Sequence, residues 1–91
     1  MKVVSRKITY FGAGEFDRVP LFTVSLQYAF DGGRVVVKSA YVTSDGTSVD
    51  LEEVNGWSYQ SEEEAARAVG VRAGEVVGKK FSDGLMLDSL V

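Results

Sequence analysis

Residues 21–30, LFTVSLQYAF, decide the fold class of this chain. Apolar and polar side chains alternate along this stretch with a period of two. One face carries the apolar set, Phe22, Val24, Leu26, Tyr28 and Phe30, and the other carries Thr23, Ser25, Gln27 and Ala29. This alternation is typical of a β-strand with one buried and one solvated face. We therefore expect a sheet whose hydrophobic core lies on one side.

The next stretch, RVVVKSAYVT at residues 34–43, predicts a strand paired with the first one. The DGG segment between them is a β-hairpin signal, which we interpret as a two-residue turn at Asp31 and Gly32. In that register Leu26 pairs with Val37, and Phe22 pairs with Tyr41. The prediction therefore places Tyr41 on the core face.

The turn TSDGT at residues 43–47 leads into a fourth strand. A three-residue loop at 44–46, with Gly46 in the left-handed conformation, places Val49 and Leu51 on the core face. A two-residue loop would place two carboxylates there, because a one-residue slip moves every side chain to the opposite face. The alternative for residues 47–54 is a short helix that is capped by Ser48 and runs over VDLEEV, residues 49–54.

The first strand is predicted within KVVSRKITYF, residues 2–11, and a long loop, GAGEFDRVP at 12–20, joins it to the central strand. Hairpin loops usually contain about two to five residues, so this connection is longer than geometry requires. It concentrates four residues that we predict to form a binding site: Glu15, Phe16, Asp17 and Arg18. Binding residues commonly lie on loops held by a rigid scaffold. The alternative is that Phe16 closes the end of the core and the three charges are solvated.

The segment SEEEAARAVG, residues 61–70, predicts the main helix. Ser61 and Glu64 fit a capping box, and the glutamates at 62–64 suit a helix N-terminus. Gly70 fits a C-terminal cap, so the helix is expected to run from Ser61 to Val69. Residues 74–91 predict a further short helix or strand. The chain is therefore predicted to be a single α+β domain over 1–91, a four-stranded antiparallel meander with one helix on one face.

The same region has features of two DNA-binding units. Ala66, Gly70 and Val76 fit the spacing of a helix-turn-helix over residues 61–81, although three glutamates at its start would repel phosphate. GWSYQSEEEAARA, residues 56–68, resembles the strand-to-helix passage of the AP2-type plant DNA-binding domain. That resemblance implies a three-stranded sheet that is backed by one helix and reads DNA with arginines and tryptophans. The matching strands here carry Arg34 and Lys38.

Composition narrows the classes of function. The chain contains no histidine and no cysteine, which removes the commonest general base and the best zinc ligands. We therefore predict no enzymatic activity, no metal site and no cofactor. Residues 1–44 carry a net charge of +3 and residues 45–91 a net charge of −6, which together give the chain its −3. No apolar run approaches the roughly 20 residues that span a bilayer, and no signal peptide is evident, so a soluble cytoplasmic protein is expected.

These features predict a small non-catalytic protein-interaction module of the accessory or inhibitor type. Its partner is another protein or a second copy, and Trp57 adds an aromatic residue to the predicted binding set. A single asparagine and two glutamines suit a thermophilic source, and a small acidic domain suits a phage or viral one. The alternative function is nucleic-acid binding by the sheet, with Lys7, Arg34 and Lys38 on phosphates.

Overall fold

The computed structural model describes residues 2–12, 19–81 and 86–89. Its elements in chain order are β1 (Val3–Gly12), β2 (Val19–Asp31), β3 (Arg34–Ser44), β4 (Thr47–Asp50), a 3₁₀-helix (Glu52–Val54), β5 (Ser58–Tyr59), α1 (Glu62–Val77) and β6 (Met86–Ser89). The sheet order is β4-β3-β2-β1-β6, with β5 also paired to β3. All these pairs are antiparallel. The predicted α+β class and the four-stranded meander are confirmed, and β5 and β6 extend the sheet.

The core lies between one face of the sheet and α1. Its strand residues include Ile8, Phe22, Val24 and Leu26, each at most 3% exposed, as predicted. Phe30, the last residue of the predicted apolar set, is instead 54% exposed. The helix contributes a stripe of small residues that are all buried: Ala65, Ala66, Val69, Gly70, Ala73 and Gly74. Small side chains let the helix axis approach the sheet closely, so the large strand residues fill the space between the two layers.

The β2–β3 hairpin differs from the predicted register. Asp31 pairs with Arg34, so the turn residues are Gly32 and Gly33, with φ of 59° and 79°. A turn with two residues in the left-handed conformation forms most easily when both residues are glycine. Asp31 therefore stays in the strand. The predicted turn at Asp31–Gly32 is therefore wrong.

A β-bulge then shifts the register of β3. Tyr28 pairs with Val37, whereas Gln27 pairs with Ser39, so Lys38 is an extra residue. Because of this extra residue, every later side chain of β3 points to the side of the sheet opposite to the one predicted. Val42 is consequently buried and Tyr41 is 44% exposed, which corrects the prediction that Tyr41 faces the core.

The β3–β4 turn is also shorter than predicted. Ser44 pairs with Thr47 across a two-residue turn at Asp45 and Gly46, whose φ values are 52° and 79°. The shorter loop and the bulge each move the register by one residue, and their effects cancel. Leu51 is therefore fully buried, as predicted, whereas Val49, which was predicted on the same face, is 39% exposed. Residues 47–50 form strand β4, as predicted, and the helix considered as the alternative is reduced to a 3₁₀-helix at Glu52–Val54 that does not begin at Ser48.

Helix α1 begins where the sequence indicates and ends later. The Ser61 hydroxyl accepts a hydrogen bond from the Glu64 amide at 3.1 Å, which confirms the predicted N-cap. The helix continues to Val77 and is capped by Gly78 at φ 72°, so the prediction that Gly70 caps it is wrong. The helix-turn-helix interpretation of residues 61–81 is wrong as well, because one continuous helix occupies the positions of its turn. No helix within the described ranges is both long and apolar enough to cross a membrane.

Gly70 has a packing role inside the helix. A Cβ atom at this position would overlap the ring of Tyr10, at 2.6 Å from Cζ and 2.9 Å from the hydroxyl oxygen. That hydroxyl donates to the Ala66 carbonyl at 2.5 Å, so β1 and α1 touch directly at this point. Burial raises the pKa of the Tyr10 hydroxyl above its ordinary value. The hydroxyl therefore stays protonated in the folded protein.

Candidate binding surface

The described elements leave uncovered the sheet face opposite α1, which we call the outer face. The registers of β1 to β4 place fourteen residues on it: Val3, Ser5, Lys7 and Thr9 from β1, Thr23, Ser25, Gln27 and Ala29 from β2, Val36, Ser39, Tyr41 and Thr43 from β3, and Ser48 and Asp50 from β4. Beyond β1, strand β6 continues the sheet, with Met86 paired to Thr9 and Asp88 paired to Lys7. Two of the fourteen are charged, whereas 25% of the whole chain is charged. The outer face is therefore mainly a surface of hydroxyl groups.

The registers align these residues in four rows across the strands. In β1-to-β4 order the rows are Lys7–Ser25–Tyr41–Asp50, Thr9–Thr23–Thr43–Ser48, Ser5–Gln27–Ser39 and Val3–Ala29–Val36. The first row contains Lys7 and Asp50 and continues beyond Lys7 to its register partner on β6, Asp88. The second row consists of hydroxyls from β1 to β4. The last row is apolar, and Ala29 at its centre is fully buried. Directly opposed residues on one sheet face are close enough to interact.

Hydrogen bonds within the outer face hold several of its polar groups in place. The Ser39 hydroxyl donates to Gln27 Oε1 at 2.7 Å, and Gln27 Nε2 donates to the Ser5 hydroxyl at 3.4 Å. The hydroxyls of Thr43 and Ser48 lie 2.8 Å apart. These side chains are therefore partly oriented before any partner arrives, which lowers the entropy cost of binding.

Tyr41 makes the outer face uneven. It borders a shallow depression of about 180 Å³ whose lining also includes Ser5, Ser25, Gln27 and Ser39. A tyrosine beside small polar residues offers a large contact area with little rotamer entropy to lose, a combination common in protein-binding surfaces. The sequence interpretation missed Tyr41 because it assumed an unbroken alternation along β3. The signal was present, since Val35 and Val37 are out of phase with Ala40 and Val42.

The three cations predicted to hold nucleic acid do not form one cluster. Lys7 is exposed on β1, and Lys38 is exposed at the bulge of β3. Arg34 lies beside the hairpin turn, where Nε donates to the Ser58 hydroxyl at 2.7 Å and Nη2 donates to the Ser58 carbonyl at 3.1 Å. The guanidinium group of Arg34 is thus engaged by the chain itself.

Among the residues predicted to bind protein, Trp57 is the one that the structure describes. It is half-buried and packs against the core, with its ring 6.4 Å from that of Tyr59 in a T-shaped arrangement. Its carbonyl accepts the Val37 amide at 2.8 Å, beside the bulge. Trp57 therefore supports the β3 strand and does not belong to the outer face. The other four, Glu15, Phe16, Asp17 and Arg18, lie outside the described residues.

Charged groups on the helix side mainly tie α1 to the rest of the chain. The Arg72 guanidinium donates to Glu53 at 2.8 Å and lowers the pKa of that carboxyl. At the N-terminal end of α1, Glu62 accepts a hydrogen bond from the Tyr28 hydroxyl, and Arg6 lies 3.8 Å from Glu62. Nowhere in the described part of the chain do three carboxylates gather closely enough to hold a metal ion.

No family model, curated protein or solved structure matches this chain. The resemblance to the AP2-type domain therefore rests on residues 56–68 alone.

Proposed function

We propose that this chain is a small, non-catalytic protein-binding module and that the outer face is its binding surface. The observation that carries the proposal is the composition of this open face, hydroxyl-rich and poor in charge, with a protruding Tyr41 that is 44% exposed. The cores of protein interfaces are depleted of charged residues and enriched in tyrosine. A sheet face that serves only to meet water needs no such depletion.

The distribution of charge supports the same surface. The glutamates of α1 at positions 62, 63, 64 and 75 lie on the helix, on the opposite side of the sheet. A protein partner that approaches the outer face therefore avoids these four glutamates. Long-range repulsion between acidic partners is reduced in this orientation.

A site-specific cross-linking experiment tests the proposal. A photoreactive phenylalanine analogue replaces Tyr41 in one variant and Val71 in a matched control, because Val71 is 51% exposed on α1. Both variants are expressed in the native source cells and irradiated. We expect covalent adducts to polypeptide from position 41 and few or none from position 71. Equal adducts at both positions, adducts to nucleic acid alone, or no adducts from position 41 would contradict the proposal.

Nucleic-acid binding is the second candidate, because Lys7 and Lys38 are exposed. Such binding weakens steeply with salt, since phosphate contacts release counterions. Titration of a mixed oligonucleotide pool at low and moderate salt tests it, with Lys7→Gln and Lys38→Gln as variants. This candidate requires salt-dependent binding that both substitutions weaken, and it fails if the wild-type chain does not bind at low salt.

A further inference from the structure

We propose that a groove beside the C-terminal half of α1 binds a small organic monocarboxylate that has an apolar body. The groove lies on the helix side of the sheet, away from the outer face, so this site is separate from the proposed protein-binding surface. Its volume is about 510 Å³, within the roughly 300–1,000 Å³ that is typical of small-molecule sites.

One face of α1 and residues 79–81, which we call the returning segment, form the two walls of the groove. Arg67, Val71 and Glu75 follow one another at intervals of four residues, so they lie along one face of the helix. Beyond the helix the chain turns back against it, and the Lys79 amide donates to the Gly74 carbonyl at 2.8 Å. A Cβ atom at Gly74 would overlap the Lys79 carbonyl oxygen, so the returning segment can approach the helix only because this residue is glycine.

Contacts outside the groove hold the returning segment in place. Lys79 Nζ donates to the Ser44 hydroxyl at 2.8 Å and lies 3.1 Å from Asp45 Oδ2. The ring of Phe81 packs on that of Tyr10, with the centroids 4.9 Å apart. The two walls are therefore formed before a ligand arrives, which lowers the entropy cost of binding.

The walls offer apolar surface to a ligand. Val71 is 51% exposed on the helix wall, and Phe81 is half-buried on the other wall. Gly74 and Gly78 also line the groove and add no side chains to fill it. A ligand with an aliphatic or aromatic body removes this apolar surface from water, which is favourable, whereas an inorganic anion would leave it exposed.

The charges around the groove favour an anion. Residues 45–91 carry four cationic and ten acidic side chains. Three of these four cations line the groove, Arg67, Lys79 and Lys80, but only one of the ten carboxylates, Glu75. Lys79 is paired with Asp45, so two cations and one carboxylate leave the groove with a net charge of +1. A ligand with a single negative charge matches it.

We assign the carboxylate of the ligand to Arg67. Among the described residues neither Arg67 nor Lys80 takes part in an ion pair, and both are exposed. A guanidinium group can donate two parallel hydrogen bonds to one carboxylate. Lys80 lies just beyond the C-terminus of α1, where the last carbonyls already attract a cation, whereas Arg67 lies about three turns earlier. The charge of Arg67 is therefore the more available of the two.

Titration of the full chain with sodium decanoate, followed by amide-detected NMR spectroscopy, tests the proposal. We expect saturable shifts of the amide signals of residues 67–81 and no comparable shifts on the outer face. Acetate has the same head group without the apolar body, and decylammonium has the same body with the opposite charge. Each should bind at least about tenfold more weakly than decanoate, because each lacks one of the two recognised features.

Two variants with matched controls assign the binding to the groove. Arg67→Gln removes the guanidinium group and should weaken decanoate binding at least about fivefold. Val71→Ser removes apolar surface from the helix wall and should weaken it at least about threefold. Lys7→Gln and Val3→Ser make the corresponding changes on the outer face, and each should alter the affinity by less than about twofold.

Three results would each overturn the proposal. The first is the absence of saturable shifts with decanoate, and the second is equally tight binding of decylammonium. The third is an Arg67→Gln variant that keeps its dispersed amide signals, and is therefore folded, but binds decanoate as tightly as Lys7→Gln does.

Discussion

Replacement of Gly70 by alanine tests the packing of α1 on the sheet most directly. In a helix that packed elsewhere, Gly70→Ala would stabilise the protein by about 1 kcal/mol, because glycine is the weaker helix former. Here the added methyl group would overlap the Tyr10 ring, at 2.6 Å from Cζ. The two descriptions therefore predict changes of opposite sign.

The magnitude follows from how tightly Tyr10 is held. The ring is fully buried, with its centroid 4.9 Å from each of the rings of Phe22 and Phe81. It can make room only if the whole cluster shifts, which costs about 1–3 kcal/mol for an overpacked core. A displaced ring also weakens the hydrogen bond to Ala66, worth about 1 kcal/mol. After the helix-propensity gain is subtracted, we expect Gly70→Ala to lower the free energy of unfolding by about 1–3 kcal/mol.

Chemical denaturation measures this change, and a double-mutant cycle assigns it. Tyr10→Leu removes the ring atoms that the new methyl group would meet, so in that background Gly70→Ala should be neutral or stabilising. A coupling energy of at least about 1 kcal/mol between the two positions is expected. Stabilisation by Gly70→Ala in the wild-type background would refute the close contact between α1 and β1.

Three further predictions concern stability. Leu26→Ala should lower the free energy of unfolding by about 2–5 kcal/mol, because Leu26 is buried. Gln27→Ala should lower it by no more than about 0.5 kcal/mol, because Gln27 lies on the outer face. Equal losses of the two variants in urea denaturation would contradict the face assignment. Ser61→Ala should lower the free energy of unfolding by about 0.5–2 kcal/mol, and Ser61→Asp should retain most of the wild-type value. If Ser61→Ala leaves the free energy of unfolding unchanged in the same assay, the hydrogen bond from the Glu64 amide contributes nothing to stability. Because the pKa of Tyr10 is raised in the folded state, the folded chain keeps a proton that the unfolded chain loses above about pH 10, and stability should fall by about 1.4 kcal/mol per pH unit there. Tyr10→Phe should remove that component, and an unchanged slope in alkaline denaturation would show that Tyr10 is not its source.

The residues whose roles could be predicted from the sequence are those in the alternating strand pattern and the N-cap of the helix. Phe22, Val24 and Leu26 lie on the predicted face, and Ser61 begins the helix, because both signals depend on neighbours a few residues away. Gly70 was assigned the wrong role because a glycine after an apolar stripe suits a C-cap as well as a close contact. The distinction depends on Tyr10, which lies near the other end of the chain.

The candidate surface was less accessible to prediction than the fold. The solvated β2 residues Thr23, Ser25 and Gln27 were identified correctly, whereas Ala29 is fully buried. Tyr41 was placed on the wrong face because the Lys38 bulge was not recognised. The bulge is stabilised by contacts distant in sequence, with the Val37 amide donating to the Trp57 carbonyl and the Gly56 amide donating to the Val37 carbonyl. A phase break in an apolar pattern therefore indicates that a strand contains a bulge. The position of the bulge depends on the distant residues that hydrogen-bond to it.

The two faces of this sheet are energetically separate, and that separation governs how binding can be studied. Among the residues whose burial the structure describes, the large, fully buried side chains lie between the sheet and α1, or in the segment that follows β4. Changes to Lys7, Tyr41 or Asp50 leave that packing in place, since surface substitutions usually alter stability by no more than about 0.5 kcal/mol. Loss of association in an outer-face variant would therefore report on the surface itself, because the core that specifies the fold lies on the other side of the sheet.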